Sequence, residues 1–339
     1  MGSRPTIKDV AAQAGVSRQT VSRVINDKGE VSDATRARVL AAIEELGYQP
    51  NAVARSMVAG RTHTLGCVSP NLIDYTLANI IEGAQAEARR QGYFVLTGSA
   101  PQEDDVQALL QEMIHRRVDG LLVLNPYADG RYRHFLSLAD RGTPVVYLNN
   151  TPRQEPISSV RCNDFEGGYR AARHLLELGH TRIATIVGPE NEECTADRLE
   201  GYRQALSEVG LDVDPRLRAD GDWSATSGYR AGQELLAAAP DFTGIVSQND
   251  QMAVGAIRAL REAGRAVPEA VSIIGFDDIP LASYFDPPLT TFRQPMQESG
   301  RRAIQLLIGQ IEDPTRRPEQ VLLHARLVER SSCARRPGS

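Results

Sequence analysis

Residues 6–26 read TIKDVAAQAGVSRQTVSRVIN, and this stretch decides how the first part of the chain folds. Thr6 can cap a first helix, Asp9 suits the positive end of the helix dipole, and Gly15 can end the helix. Ser17 can then cap a second helix that starts almost at once. The spacing predicts two short helices joined by a tight turn.

A third helix is predicted within residues 31–48, VSDATRARVLAAIEELGY. Ser32 or Asp33 can cap its start, and Gly47 can end it. Apolar residues recur at helical spacing in all three segments, which indicates that the helices share one small core. The core positions expected in the second and third helices are Val21, Val24, Ile25, Val39, Leu40, Ile43 and Leu46.

The outer face of the second helix is polar, with Arg18, Gln19, Ser22 and Arg23. A face of this kind is usually just solvated. In two helices joined by a turn, however, the second helix can lie in the major groove of DNA, where arginine bonds the guanine edge and glutamine the adenine edge. Residues 1–61 contain nine Lys or Arg and six Asp or Glu, whereas the remainder contains 29 and 37. This basic end favours contact with a polyanion.

The stretch at residues 6–26 closely resembles the DNA-binding head of the lac repressor and galactose repressor family of bacterial transcription regulators. The resemblance implies a helix-turn-helix head at residues 1–50. It also implies that Arg18, Gln19 and Arg23 contact operator bases, while Ser17 and Thr20 contact phosphates. We assign the DNA-binding surface of the head to Ser17, Arg18, Gln19, Thr20, Ser22, Arg23 and Asn26.

Residues 51–61 are expected to form a hinge helix or linker. Asn51 can cap a helix that Gly60 ends, and a helix this short is marginal in water unless DNA holds it. In the family, paired hinge helices insert an apolar side chain into the minor groove. The resemblance assigns that role to Met57, at a position where leucine is common, and we assign a supporting contact to Arg55. The alternative is an ordinary linker.

From residue 62 to 335, apolar runs alternate with helical stretches, which predicts parallel sheets with right-handed crossovers. Strands are expected in TLGCVSP, YFVLTGS, DGLLVLNP, PVVYLNN, RIATIVGP, RADGDW, TGIVSQND and VSIIGFDD, and helices near 78–91, 104–117, 131–141, 164–178, 196–209, 225–239 and 251–263. Two doubly wound α/β lobes of this kind resemble the periplasmic sugar-binding proteins, whose fold the family shares. The first lobe is expected at about 62–161 plus 292–320, and the second at about 162–291 plus 321–335.

Polar side chains follow several predicted strands, at the edge where parallel sheets bind ligands. Asp277 can accept hydrogen bonds from hydroxyl groups, and Arg198 can donate as a fork. Asn249 can do both, and Trp223 offers a flat face to sugar C–H groups. The family resemblance supports these positions through DRLEGY, SQNDQMAVGA, GFDDIPLASYFDPPLTTFRQP and GDWSATSGY, the last of which looks like a segment that carries a ligand-stacking tryptophan.

The predicted interlobe cleft has further wall positions. Several sugar-responsive members of the family carry aspartate where this chain has Asn149. Tyr75 follows the first predicted strand, and Met296 follows the crossover at TTFRQP. The further wall positions are Tyr75, Asn125, Asn149, Asp250 and Met296.

Other function classes fit the sequence less well. The chain contains no G-x-S-x-G elbow, P-loop or H-E-x-x-H motif, and its six histidines and four cysteines are scattered. We therefore expect no catalytic residue, cofactor or metal site. A free transport receptor would carry a secretion signal and no basic head. No apolar run approaches the roughly 20 residues that span a bilayer, so we expect a cytoplasmic protein without membrane contact.

These features predict a homodimeric transcription regulator, a repressor, that binds a pseudo-palindromic operator in double-stranded DNA. A small sugar-like effector between the lobes is expected to control it. The tail ARRPGS lacks the leucine heptads of a tetramer-forming extension, which favours a dimer. A purine or nucleoside is the alternative effector, because some family members use the same cleft for nucleobases. A solute-binding receptor or a sugar-processing enzyme is a more remote alternative.

Overall fold

The computed structural model describes residues 5–25, 29–48, 60–124, 132–139, 141–148 and 157–336. The chain divides into two compact units, Met1–His63 and Thr64–Ser339. Within the described ranges, the first unit contains helices and no strand, and the second alternates strands with helices. The predicted fold class is therefore confirmed. Across the same ranges, every helix is too short or too polar to cross a membrane.

The first unit is a three-helix domain with helices Ile7–Ala14 (α1), Arg18–Ile25 (α2) and Asp33–Leu46 (α3). Thr6 and Asp9 cap α1 reciprocally, and the N–H of Thr6 donates to the Asp9 carboxylate at 2.7 Å. Ser17 and Ser32 cap the other two helices, each accepting from the N–H three residues on, at 3.1 and 3.4 Å. Of the two candidate caps for α3, Ser32 and not Asp33 makes this contact.

The core of the three-helix domain lies on the faces that the apolar spacing predicted, with one exception. Leu40 is 51% exposed, so its assignment to the core was wrong. One residue advances an α-helix by about 100°; because Val39 and Ile43 face the core one turn apart, Leu40 points away from it. The buried residues are Val10, Ala11, Ala14, Val21, Val24, Val39 and Ala42, with Ile25, Ile43 and Leu46 partly buried against them.

The second unit is built from strands and helices in regular alternation. Its strands are Thr64–Ser69 (β1), Phe94–Ser99 (β2), Gly120–Leu124 (β3), Val145–Leu148 (β4), Ser158–Cys162 (β5), Ile183–Val187 (β6), Arg218–Asp220 (β7), Gly244–Ser247 (β8), Ser272–Asp277 (β9), Thr290–Arg293 (β10), Gln320–Leu323 (β11) and Arg326–Val328 (β12). Its helices are Tyr75–Arg90 (α4), Glu103–His115 (α5), Tyr132–Ala139 (α6), Asp164–Glu177 (α7), Glu193–Ser207 (α8), Ala225–Ala238 (α9), Asp250–Glu262 (α10) and Met296–Glu312 (α11).

The strands form two six-stranded sheets, one for each lobe. Their orders are β11-β5-β4-β3-β1-β2 and β12-β10-β9-β8-β6-β7. The pairings within both sheets are parallel, except that β12 runs antiparallel to β10. Along β3, Leu122 and Leu124 join the core on one face of the first sheet, whereas Leu121 and Val123 join the core on the other face. This alternation shows that the sheet is covered by helices on both sides.

The chain passes between the two sheets three times, at residue 163, at 294–295 and at 324–325. β10 pairs with β9 in the second sheet, and β11 pairs with β5 in the first. The last two crossings therefore lie two to four residues beyond the predicted lobe boundaries at 292 and 321. The boundaries shift because β10 still pairs within the second sheet, and β11 within the first, immediately before the chain crosses.

Glycines allow three pairs of helices to cross in close backbone contact. A Cβ atom added at any of these glycines would overlap a carbonyl oxygen of the facing helix. In the second lobe, the crossing of α7 and α8 brings Arg198 beside Asp164, the first residue of α7. The pairs are Gly83 and Gly300 between α4 and α11, Gly168 and Gly201 between α7 and α8, and Gly228 and Gly255 between α9 and α10.

Replacing Gly201 with alanine is expected to lower the free energy of unfolding by about 1–3 kcal/mol, because the added methyl group collides with the Phe165 carbonyl. Urea unfolding followed by circular dichroism measures the effect. The control is Ser207→Ala at the exposed end of the same helix, where a change within about 0.5 kcal/mol is expected. A stable Gly201→Ala variant would contradict the close crossing, since alanine otherwise favours a helix.

Candidate functional site

A cavity of about 330 Å³ lies between the two lobes of the second unit. The first lobe contributes the loop after β1 and the start of α4. The second lobe contributes the ends of β6, β7, β8 and β9 and the start of α8, and the crossing at 294–295 contributes one glutamine. The lining residues are Pro70, Asn71, Asp74, Thr76, Leu77, Asp164, Pro189, Asn191, Glu192, Cys194, Arg198, Asp222, Trp223, Asn249, Asp277 and Gln294.

Arg198 lies in the cavity wall and is 5% exposed. Its Nε and Nη2 atoms both lie 2.8 Å from the Asp164 carboxylate, and Nη1 donates to the Gln248 carbonyl at 2.5 Å. The guanidinium carbon lies 3.8 Å from the centre of the Phe276 ring. A guanidinium has five N–H donors, so Arg198 keeps donors for a ligand while its charge is balanced by Asp164.

Asp277 ends β9 and is also buried, at 8% exposure. It accepts a hydrogen bond from Gln294 Nε2 at 2.7 Å, and burial raises the pKa of its carboxyl well above the usual range. Asp277 and Asp278 have φ values of 112° and 55°, in the left-handed region that favours glycine. At this bend the two neighbouring carboxylates take different partners. Asp278 accepts from Arg293 and Arg330, both at 2.6 Å.

Asn249 has a structural role in addition to its place in the cavity wall. Its side-chain oxygen accepts from the Met252 N–H at 2.8 Å and so caps α10. Its amide nitrogen donates to the Trp223 carbonyl at 2.9 Å. Asn249 therefore fixes the loop that carries Trp223 and retains one amide N–H for a ligand.

Trp223 stands on the loop between β7 and α9, with φ of 70°. Its indole lies against Gly188, where an added Cβ would overlap the ring. The indole Nε1–H donates to Glu192 at 3.1 Å. One edge of the ring is thus held by a hydrogen bond, and the ring remains part of the cavity wall.

Several predicted wall residues lie elsewhere. Tyr75 and Met296 line an adjoining cavity of about 450 Å³, which shares Asp277 and Gln294 with the first. Asp250 does not line either cavity, and its assignment to the wall was wrong: it is fully buried and accepts from the Ile279 N–H and the Thr291 hydroxyl. Asp250 is the first residue of α10, and its carboxylate points towards β10, where it meets Thr291. Asn125 and Asn149 lie outside the described residues.

The cavity also contains residues that the sequence analysis missed. Asp164 follows β5, a strand that was not predicted, so no strand end drew attention to it. Glu192 and Asn191 follow the predicted strand RIATIVGP, and the rule applied to the other strand ends would have identified them. Asp74 was missed because it resembles an ordinary helix cap, which it also is, accepting from Leu77 at 2.9 Å. Within the described residues, no group of acidic, histidine or cysteine side chains could hold a metal ion.

The first unit presents the predicted DNA-binding side chains on α2. Arg18, Gln19 and Arg23 are exposed, and Thr20 is partly buried. The Ser17 hydroxyl lies 2.9 Å from that of Thr20 while it caps the helix. Ser22 is partly buried on the same helix. Asn26, Arg55 and Met57, together with most of the predicted hinge, lie outside the described residues.

Comparison with known proteins agrees with both units. The family described as "Bacterial regulatory proteins, lacI family" matches residues 6–51, and the periplasmic binding protein-like domain matches residues 172–333. The transcriptional regulator CelR of Thermobifida fusca is 38% identical over 97% of this chain and 98% of its own. The transcriptional repressor PurR of Klebsiella pneumoniae (strain 342) is also 38% identical, over 98% of both chains.

Solved structures show the same relationship. A complex of CelR with cellobiose has a TM-score of 0.75 and 37% identity, covering 97% of this chain and 100% of the solved one. A lac repressor dimer bound to operator and the anti-inducer ONPF has a TM-score of 0.88 and 30% identity, covering 98% and 100%. The resemblance found in the sequence is thereby confirmed. The chain belongs to the lacI family of bacterial regulatory proteins and is a DNA-binding transcriptional regulator.

Proposed function

We propose that this protein is a homodimeric transcriptional repressor whose affinity for its operator is controlled by a small sugar-like effector in the interlobe cavity. The observation that carries the proposal is the composition of the cavity wall. Arg198 and Asn249 supply donors, Asp277 supplies an acceptor, and the Trp223 ring supplies a flat apolar face. A polyhydroxylated neutral molecule needs this combination.

A purine or nucleoside is the second candidate, because the family resemblance implies that some members use the same cleft for nucleobases. An indole can stack on a nucleobase as well as on a sugar ring. The cavity wall favours a sugar, since carboxylates accept from the many hydroxyl groups that a sugar offers. The complex of CelR with cellobiose supports the same choice.

The regulatory step follows from the position of the cavity between two lobes. A ligand that binds one arrangement of the lobes more tightly shifts the protein towards it. In a dimer, that shift would separate the two hinges and weaken the grip of the heads on DNA. We assign the minor-groove contact to Met57, with support from Arg55. Because the target is DNA, we place the protein in the cytoplasm, and we assign it no catalytic activity.

Trp223 is the only tryptophan of the chain, so ligand binding is expected to change the tryptophan emission directly. Titration with cellobiose, ribose, other saccharides, nucleobases and nucleosides would identify the class of effector. In Asp277→Asn, affinity should fall roughly 10- to 150-fold, because a hydrogen bond to a charged group contributes about 1.5–3 kcal/mol. Asparagine also tolerates the left-handed backbone at this position.

The matched control for this titration is Asp212→Asn, which changes an exposed carboxylate outside the cavity lining. Its titration curve should coincide with that of the unchanged protein. A ligand that binds Asp277→Asn as tightly as the unchanged protein would contradict the assignment of the cavity as the effector site. If only a nucleoside binds, the effector is a nucleoside, the second candidate, and not a sugar.

A further inference from the structure

The described part of the cavity wall carries more carboxyl groups than its one guanidinium can pair with. Among the described lining residues, five are acidic and only Arg198 is basic. Arg198 is already paired with Asp164 at 2.8 Å. Asp222 lies 3.9 Å from Arg230, at an exposed position. Among the described residues, the carboxyl groups of Asp74, Glu192 and Asp277 form no ion pair, although the charge of Arg198 acts on the last two.

Of these three carboxyl groups, that of Glu192 contacts Trp223, the aromatic residue of the cavity wall. Its Oε1 atom accepts from the Trp223 indole at 3.1 Å. Burial raises the pKa of the Glu192 carboxyl, and the charge of Asp74 raises it further. Asp74 caps α4 in the first lobe, and Glu192 precedes α8 in the second. Both side chains line the same cavity, one from each lobe.

An anionic group in this cavity would meet these carboxylates, and the one guanidinium among the described lining residues is already paired with Asp164. Like charges a few ångströms apart repel strongly where protein excludes water. A hydroxyl group has the opposite effect, because it can donate to a carboxylate on either lobe, and an ammonium group would form an ion pair. Such donors can therefore bond to acidic side chains on both lobes at once.

We propose that Glu192 is a specificity-determining residue and that, together with Asp74 on the opposite lobe, it makes the cavity select uncharged or amino-bearing ligands and reject ligands that carry phosphate or carboxylate. The inference rests on the proposed function, that this cavity holds the effector. It adds that sugar phosphates, sugar acids and nucleotides are excluded.

The test uses the full-length protein and sets of probes that share a sugar or nucleoside and differ in the charged group that they carry; the charge-removing variants below separate charge from size. The sets are glucose, glucosamine and glucose 6-phosphate; ribose and ribose 5-phosphate; cellobiose and cellobionate; and adenosine and adenosine monophosphate. Thermal shift and Trp223 emission report binding, because a ligand that binds the folded state stabilises it. Within each set that binds, the anionic member should bind at least roughly tenfold more weakly than the neutral one.

Glu192→Gln removes the charge and keeps an acceptor for the indole. It should reduce the discrimination against the anionic probe by about tenfold and change the emission of ligand-free Trp223. Asp74→Asn should act in the same direction while preserving the helix cap, since asparagine caps as well as aspartate. Glu190→Gln, in the same loop but exposed and outside the lining, should change neither quantity.

The outcomes separate this inference from the proposed function. If a neutral saccharide and its phosphate bind equally well, the effector site stands and the charge selection is overturned. If discrimination is unchanged in Glu192→Gln and Asp74→Asn, the role of these two residues is overturned. If only adenosine binds, and its monophosphate does not, the charge selection stands while the sugar proposal fails. If no probe binds, both fall.

Discussion

Replacement of Arg198 by alanine is expected to abolish the response to effector and to lower the free energy of unfolding by about 3–5 kcal/mol. The loss is large because the change leaves Asp164 as a buried charge without its partner; the Asp164 side chain is only 12% exposed. The Gln248 carbonyl loses its donor as well. Urea unfolding measures the stability, and Trp223 emission measures binding.

The control for this variant is Arg203→Ala on the same helix. Arg203 pairs with Glu200 at the surface, at 3.7 Å and with 45% and 64% of the two side chains exposed. A pair of this kind contributes about 0–1 kcal/mol. Adding Asp164→Asn to Arg198→Ala should restore part of the lost stability, because the buried position is then uncharged. Equal stability of Arg198→Ala and Arg203→Ala would contradict the buried pair.

Replacement of Arg18 by alanine is expected to weaken specific DNA binding while leaving the fold intact, since Arg18 is exposed on α2. A bidentate contact to guanine contributes about 1–3 kcal/mol of discrimination. Two heads act in each dimer, so the loss on a symmetric site should be about 2–6 kcal/mol, roughly 30-fold to 10⁴-fold in affinity. The probe is a duplex selected by the unchanged protein from a random-sequence pool, with a scrambled duplex beside it.

Two further variants of the head separate base reading from general attraction. Arg38→Ala removes an exposed charge from α3 and should affect selected and scrambled duplexes alike. Ser17→Ala should also weaken binding to all sequences, and it should cost the head about 1 kcal/mol because the hydroxyl caps α2. If Arg18→Ala retained the unchanged preference for the selected duplex, arginine would not read a base there.

The regular parts of this fold were predictable because each depended on short-range rules. The caps at Thr6 and Ser17 come from residue types that bond the next turn, and the long strands are continuous apolar runs. β5 was missed because Ser158–Cys162 combines hydroxyl and charged residues in a short strand that packs between two neighbours. Leu40 was misplaced because apolarity alone does not give the direction in which a helical side chain points.

The cavity was only partly predictable for a related reason. Trp223, Asn249 and Asp277 follow strands and were recognised by that position, whereas Arg198 was expected to open a helix and lies in the second turn of α8. The contacts among these residues depend on how distant parts of the chain pack together, and the spacing of residues along the sequence does not reveal this. The pairing of Arg198 with Asp164, for example, depends on how closely α7 and α8 cross.

The glycine crossings also determine how a bound ligand can act at a distance. Where two helices cross in direct backbone contact, no long side chains lie between them that could change rotamer. The paired helices of each lobe therefore do not slide easily past each other. Each lobe is then expected to move as a stiff body, with displacement at the three connecting segments at 163, 294–295 and 324–325. Gln294 lies in the second of these segments and donates to Asp277, which links the proposed ligand site directly to a connection between the lobes.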